Sequence, residues 1–209
     1  LLERAAIMAS NASLCHCDAI DDNLAARLGT AMSKLAQSGR DKLTFISSLP
    51  LAGFGDWVEQ LIAESLGKEG KGILPVVGES QAPVETYGAD RVFIHLRLEG
   101  DARDDEFVSR LQEAGHPVIT LKLKDIYDIG GQFFLWEMAT AIAGHFLGIN
   151  PFDQPNVEDA KVKARAVVSQ YAEKGALPAG EFAELNTRAL EEFLAQARPG
   201  DYVALQAYI

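Results

Sequence analysis

Four short apolar runs set the architecture open to this chain. Leu43-Thr44-Phe45-Ile46, Ile73-Leu74-Pro75-Val76-Val77, Val92-Phe93-Ile94-His95-Leu96 and Pro117-Val118-Ile119-Thr120-Leu121 each have the length of a buried strand and too little length for a helix. Helical spacing surrounds them. Leu1 to Ala9 reads as a short helix. Asp21 to Gln37 places Leu24, Ala25, Leu28, Ala31, Met32 and Leu35 on one stripe, and Gly39 ends it. Pro50, Gly53 and Gly55 read as the turn after the first strand. Asp56 then caps a helix whose inward stripe is Trp57, Val58, Leu61, Ile62 and Ser65 and which Gly67 terminates.

Further helices are predicted over Asp104 to Ala114, over Gly130 to Leu147, from Pro155 to about Lys174, and over Glu181 to Ala197. The one over Gly130 to Leu147 is apolar nearly all round and is expected to be buried. Strands alternating with helices predict an α/β chain with a mainly parallel sheet and helices on both faces. The organisation reads as an N-terminal helical segment (1–38), an α/β domain (39–175) and a C-terminal helix and strand (176–209), with Ala176 to Gly180 as the hinge. The final stretch, Asp201 to Ile209, reads as a strand that stops on its apolar end. The chain is therefore expected to be a piece of a longer protein.

Composition narrows the partners. The 209 residues are 48% hydrophobic, enough for a sizeable core, and carry a formal charge of −11. Binding to nucleic acid or to an anionic membrane surface needs clustered Lys and Arg, so neither is expected. No apolar run approaches the ~20 residues that cross a bilayer. Leu1 to Ser10 carries Glu3 and Arg4, unlike a signal peptide, so the expected compartment is the cytoplasm. A sugar phosphate stays within reach, because a few local donors suffice to hold it. Cys15-His16-Cys17 invites a metal reading. No second ligand pair at zinc-site spacing follows it, and the expectation is two free thiols and no metal.

Two polar strings are not explained by packing. The first is Gly148-Ile149-Asn150-Pro151-Phe152-Asp153-Gln154-Pro155-Asn156-Val157-Glu158-Asp159-Ala160-Lys161. Its Asp153-Gln154-Pro155 portion reads locally as a helix-capping turn, since Pro at the first helical position lacks the N–H that would be orphaned. Lys161 could there be a surface lysine beside Glu158. The second string is Gln60-Leu61-Ile62-Ala63-Glu64-Ser65-Leu66-Gly67-Lys68. A spacing of four puts Gln60 and Glu64 on one helix face. Glu64 read alone is a solvated helix residue. The glycine-lysine stretch Gly67-Lys68-Glu69-Gly70-Lys71-Gly72 looks like a phosphate loop but lacks the Gly-Lys-Ser/Thr ending of a P-loop.

Together these strings resemble the glucose-6-phosphate isomerase family, in its order: Gln-x-x-x-Glu-Ser-x-Gly-Lys, then Asn-x-Phe-Asp-Gln-x-x-Val-Glu-x-x-Lys. Asn156 stands where the family often has a glycine or similar small residue. The motifs belong to the family's second sugar isomerase domain, which implies a doubly wound three-layer sandwich. Arg40-Asp41-Lys42-Leu43-Thr44-Phe45 and Gly70-Lys71-Gly72-Ile73-Leu74-Pro75-Val76 resemble most the branch in which a transaldolase is fused to the isomerase.

The resemblance implies interconversion of glucose 6-phosphate and fructose 6-phosphate through an enediolate, without metal or organic cofactor. Glu64 matches the catalytic base, Lys161 a lysine of ring opening and substrate contact, and Gln60 and Gln154 substrate-contacting glutamines. Ser47 and Ser48, after the first strand, sit where open α/β sheets bind ligands and are further candidates for substrate contact. The resemblance also implies a first sugar isomerase domain as an intramolecular partner, and it accommodates a homodimer. A catalytic histidine in a His-x-x-x-Gln-like setting is matched by none of His16, His95, His116 and His145, and is expected beyond Ile209. His95 and His145 read as structural. The alternative reading is a non-catalytic module that binds sugar phosphates.

Overall fold

The computed structural model describes residues 1–13, 23–153, 155–177, 184, 186–198, 201 and 203–205. They form two compact units, Leu1–Glu158 and Asp159–Ile209. The first holds helices α1 (Leu2–Ser13), α2 (Leu24–Gln37), α3 (Ala52–Leu66), α4 (Asp105–Glu113) and α5 (Ile129–Leu147), with strands β1 (Lys42–Ser47), β2 (Leu74–Val76), β3 (Arg91–Leu98) and β4 (Val118–Leu123). Helix α6 (Pro155–Lys174) begins in the first unit and continues into the second, which also holds α7 (Thr187–Leu194).

The four strands form one parallel sheet in the order β2-β1-β3-β4. The chain therefore turns one way through β1-α3-β2 and the other way through β3-α4-β4. Right-handed crossovers then place α3 and α4 on opposite faces, which is a doubly wound sheet. Both faces of β3 are covered, so it reads as an unbroken apolar run rather than an alternating one. Val92, Ile94 and Leu96 face the larger core, with Leu28 and Met32 of α2, Val58, Ile62 and Leu66 of α3, and Leu135, Trp136 and Ala139 of α5. Phe93 faces the smaller core, with Ile46, Val84 and Phe107, Val108 and Leu111 of α4.

Caps and close approaches hold the outer layer. The Asn23 side chain accepts from the Ala26 N–H at 3.0 Å, capping α2, and donates to the Ala12 carbonyl at 2.9 Å, holding the end of α1. Such a cap contributes ~1 kcal/mol. Arg4 of α1 pairs with Asp125 at 3.0 Å and with Asp128, in the turn that opens α5. Helices α2 and α5 meet at Gly29, where a β-carbon would lie 2.4 Å from the Ala139 carbonyl oxygen.

Three expectations need correction. Helix α3 starts at Ala52 and not at Asp56, after a 3-10 turn over Leu49–Leu51 that contains Pro50. Gly53 and Gly55 lie inside the helix. The side chain of Val77 packs so close to Gly55 that a β-carbon there would sit 2.7 Å away, so this contact offsets the poor helix propensity of glycine. Helix α5 is not buried all round, because Phe133, Glu137, His145 and Phe146 are exposed. Residues 133, 137 and 145 are spaced by multiples of four and share the one stripe that the sheet, α1 and α2 leave uncovered. His145 is thus a surface residue. Finally, Asp201 and Val203 to Leu205 are not in a strand; the rest of that predicted strand, like the Cys15-His16-Cys17 cluster and Pro178 to Gly180 of the hinge, lies outside the described residues. The second unit is held locally by the pairs Lys163–Asp159 (2.6 Å) and Arg188–Glu192 (2.8 Å) and by the Asn186 cap of α7.

Candidate active site

Helix α3 divides its residues cleanly. Phe54, Val58, Ile62 and Leu66 recur every four residues and are buried, while Gln60 and Glu64 lie on the solvent side. The Gln60 amide donates to the Glu64 carboxylate at 3.1 Å. Glu64 stands in the last turn, two residues before the buried Leu66 that anchors the helix end. Two turns N-terminal to Glu64, Trp57 stacks on Phe54 with ring centres 5.4 Å apart and meets Phe133 of α5 edge-on at 4.6 Å.

Beyond Gly67 the chain folds tightly back on itself through Lys68 to Lys71, with Glu69 and Gly70 at φ 57° and 69°. The lysines of this loop do not form an anion cradle. Lys71 donates to the carbonyls of Leu147 (3.0 Å) and Gly148 (3.3 Å), which close the C-terminus of α5. Lys68 has a side chain only 3% exposed and donates to the Asn150 carbonyl at 2.9 Å, to the Asp153 carboxylate at 3.0 Å and to the Asp153 carbonyl. The two sequence strings, more than eighty residues apart, therefore meet at Lys68. The turn they share is braced internally: the Asn150 side chain accepts from the Phe152 N–H at 3.1 Å and donates to Asp153 at 3.3 Å.

The remaining candidates are placed elsewhere. Ser47 and Ser48 lie at the C-terminal end of β1. Helix α3 leads away from there, and twelve residues of helix separate Ala52 from Glu64 by about 18 Å. The structure does not bring the serines to the Gln60–Glu64 face. Ser48 is buried, and its hydroxyl accepts from the Leu98 N–H at 3.0 Å and bonds Asp101. Ser47 lines a crevice of about 440 Å3 between the ends of β1 and β2 and the start of α3, at the point where the strand order reverses. Its charged lining residues are Asp56, Glu79 and Asp104; Glu79 is held by Arg91 at 3.0 Å. Lys161 lies exposed in α6, within the second unit, and Gln154 falls outside the described residues.

Beside the crevice is a charged cluster. Arg103, then Ser48, hold the Asp101 carboxyl well below the usual carboxylate range, and Arg97, paired with Asp105 at 2.7 Å, lowers Asp105 as well. His95 of β3 is buried beneath this cluster, and burial pushes its pKa down. Among the described residues, no group of His, Cys, Asp and Glu could hold a metal ion, and no helix is long and apolar enough to cross a membrane.

No family model matches the chain. Many curated proteins do, two of them as follows. The glucose-6-phosphate isomerase of Heliobacterium modesticaldum is 28% identical over 199 residues, covering 75% of this chain and 44% of the relative. That of Pediococcus pentosaceus is 30% identical over 175 residues, covering 65% and 37%. The chain is similar to glucose-6-phosphate isomerases. It spans about two fifths of the length of these family members. Solved structures agree on the fold. A glucose-6-phosphate isomerase from Chlamydia trachomatis superposes with a TM-score of 0.63 at 17% identity, over 92% of this chain and 45% of that one. A hypothetical protein from Thermus thermophilus gives 0.65 at 22%, over 80% and 49%.

The role of Lys68 has no local sequence signal, because its partners lie 82 and 85 residues further along the chain.

Proposed function

We propose that this chain is the second sugar isomerase domain of a glucose-6-phosphate isomerase, with Glu64 as the proton-transferring base. The observation that carries this reading is the Gln60–Glu64 pair: a solvent-facing carboxylate steadied at 3.1 Å by its neighbour, on the helix whose end is tied to the second family string. In the reaction, Glu64 takes the C2 proton of the open-chain aldose. The C–H electrons form the enediolate double bond, and the carbonyl oxygen at C1 takes up a proton. Returning the first proton to C1 while the C2 hydroxyl gives up its own yields the ketose. No electrons leave the substrate, so no redox cofactor is needed. Lys161 and Gln154 are assigned to ring opening and substrate contact by family resemblance.

The whole activity requires more than these 209 residues. Donors for the phosphate and for the enediolate oxygens are assigned to a first sugar isomerase domain of the same polypeptide, and the family histidine to a further segment. A fused transaldolase, a homodimeric assembly and a cytoplasmic location complete the proposal. The 209 residues alone are expected to be inactive.

The sugar-phosphate-binding module is less well supported. The switch-point crevice, where such a module would hold its ligand, is lined by Asp56, Glu79 and Asp104, and the hydroxyl of Ser48 is already used. Carboxylates there repel a phosphate.

The test is glucose 6-phosphate isomerisation by the full-length protein beside its Glu64→Gln variant, which keeps the shape of the side chain but cannot take the proton. Loss of at least ~100-fold in kcat by a folded variant is expected. An active variant would remove Glu64 from its role, and an inactive wild type would favour the binding module.

A further inference from the structure

We infer that Lys68 is a positioning residue for the candidate site, and that its buried ammonium locks the Asn150–Asp153 turn to the end of the helix carrying Glu64. This rests on the isomerase reading above. Lys68 lies four residues after Glu64, one past the Gly67 that caps α3. An ammonium has three N–H donors and no acceptor. Here the acceptors are the Asn150 carbonyl, the Asp153 carbonyl and one Asp153 carboxylate oxygen, around a side chain 3% exposed. A cation taken this far out of water persists only when its donors are satisfied and a counter-charge is near. Both conditions are met by one turn.

That turn has no regular secondary structure to hold it in place. Asp153 divides its carboxylate between Lys68 and Asn150, so the lysine bonds the same side chain that braces the turn from within. Asp153 is also the last residue before Gln154 and the start of α6. Lys68 acts by holding this turn against the end of α3 and is not assigned a contact with substrate. Its neighbour Lys71 closes the α5 end separately, through Leu147 and Gly148.

The experiment uses the full-length protein with Lys68→Met, which keeps the length of the side chain and removes the donors. We expect kcat to fall by ~10–100-fold with KM changed less than ~3-fold, the effect of a displaced catalytic geometry rather than of lost binding. Hydrogen exchange is expected to quicken at Ile149 to Asp153 and not in β1 or β3. Lys68→Arg is no rescue, since a planar fork cannot reproduce three convergent bonds. The rescue is Lys68→Cys alkylated to its aminoethyl form, in a background with Cys15→Ser and Cys17→Ser, which restores an ammonium at the same reach and is expected to restore kcat.

Should Lys68→Met fail to fold, Asp153→Asn takes its place; it keeps both carbonyl bonds and removes the counter-charge, with a smaller fall in kcat of ~3–10-fold. A folded Lys68→Met with unchanged kcat, or unchanged exchange in the turn, would overturn the inference while Glu64→Gln still tested the base. Failure of the aminoethyl form to restore kcat would overturn it too. An inactive wild type would sink the isomerase reading, and with it any part for Lys68 in turnover.

Discussion

The ring of Pro151 occupies the space that a side chain on Gly144 would need. A β-carbon at Gly144 would lie 2.9 Å from the Pro151 Cγ and 3.0 Å from its Cβ and Cδ. The turn of the second family string therefore lies flat on α5, held from one side by this contact and from the other by Lys68. Gly144→Ala should cost ~1–3 kcal/mol, because a rigid ring cannot move aside as a flexible side chain can. Gly53→Ala is the matching control: it lies within α3 with none of the described residues inside 4 Å of the added carbon, and should stabilise by up to ~1 kcal/mol. Urea midpoints of both variants check this, and equal effects would show that helix propensity, not the ring, decides at Gly144.

Ser48 and Ser47 should separate in a stability measurement. Ser48→Ala leaves the Leu98 N–H without its acceptor and Asp101 without one of its donors, for an expected cost of ~1–3 kcal/mol. Ser47→Ala should change stability by less than ~0.5 kcal/mol. A neutral Ser48→Ala would show that the hydroxyl is free for a ligand.

His95 makes stability depend on pH. Burial, the main cause, lowers its pKa from the ordinary 6.5; Arg97 acts in the same direction and Asp105, Asp104 and Asp101 oppose it. The folded state therefore keeps the ring neutral while the unfolded chain takes a proton below about pH 6.5. The contribution is complete above 6.5 and is lost as pH falls from there toward the lowered native value. Denaturant midpoints at pH 7.5 and 5.5 should differ in the wild type and differ less in His95→Leu. Equal pH dependence in the two would remove His95 as the cause.

Thr140 of α5 is buried, and its hydroxyl has no hydrogen-bond partner among the described residues. Thr140→Val removes the desolvated oxygen and keeps the shape, so it should leave stability unchanged or raise it by up to ~1 kcal/mol. A thermal melt that falls instead would show that the oxygen is satisfied by water inside the core.

Part of the site could be read from spacing alone. Gln60 and Glu64 share a face because a helix repeats every 3.6 residues, and their bond follows from that geometry. The grouping of Ser47 and Ser48 with them could not be judged this way. A helix following a strand carries the chain back along the layer, so residues close in sequence end at opposite ends of the strands.

The sequence by itself determined the elements and their kind. Strand runs, helix stripes and capping glycines are local, and each reports on a few neighbouring side chains. Only the tertiary structure decided the partners: that Lys68 turns inward to Asp153, that the Ser48 hydroxyl is taken up by Leu98 and Asp101, and that one stripe of α5 stays in water. Polar contacts of this kind join residues far apart in the chain. A lysine that binds phosphate and one that binds backbone carbonyls look alike until the acceptors are in place.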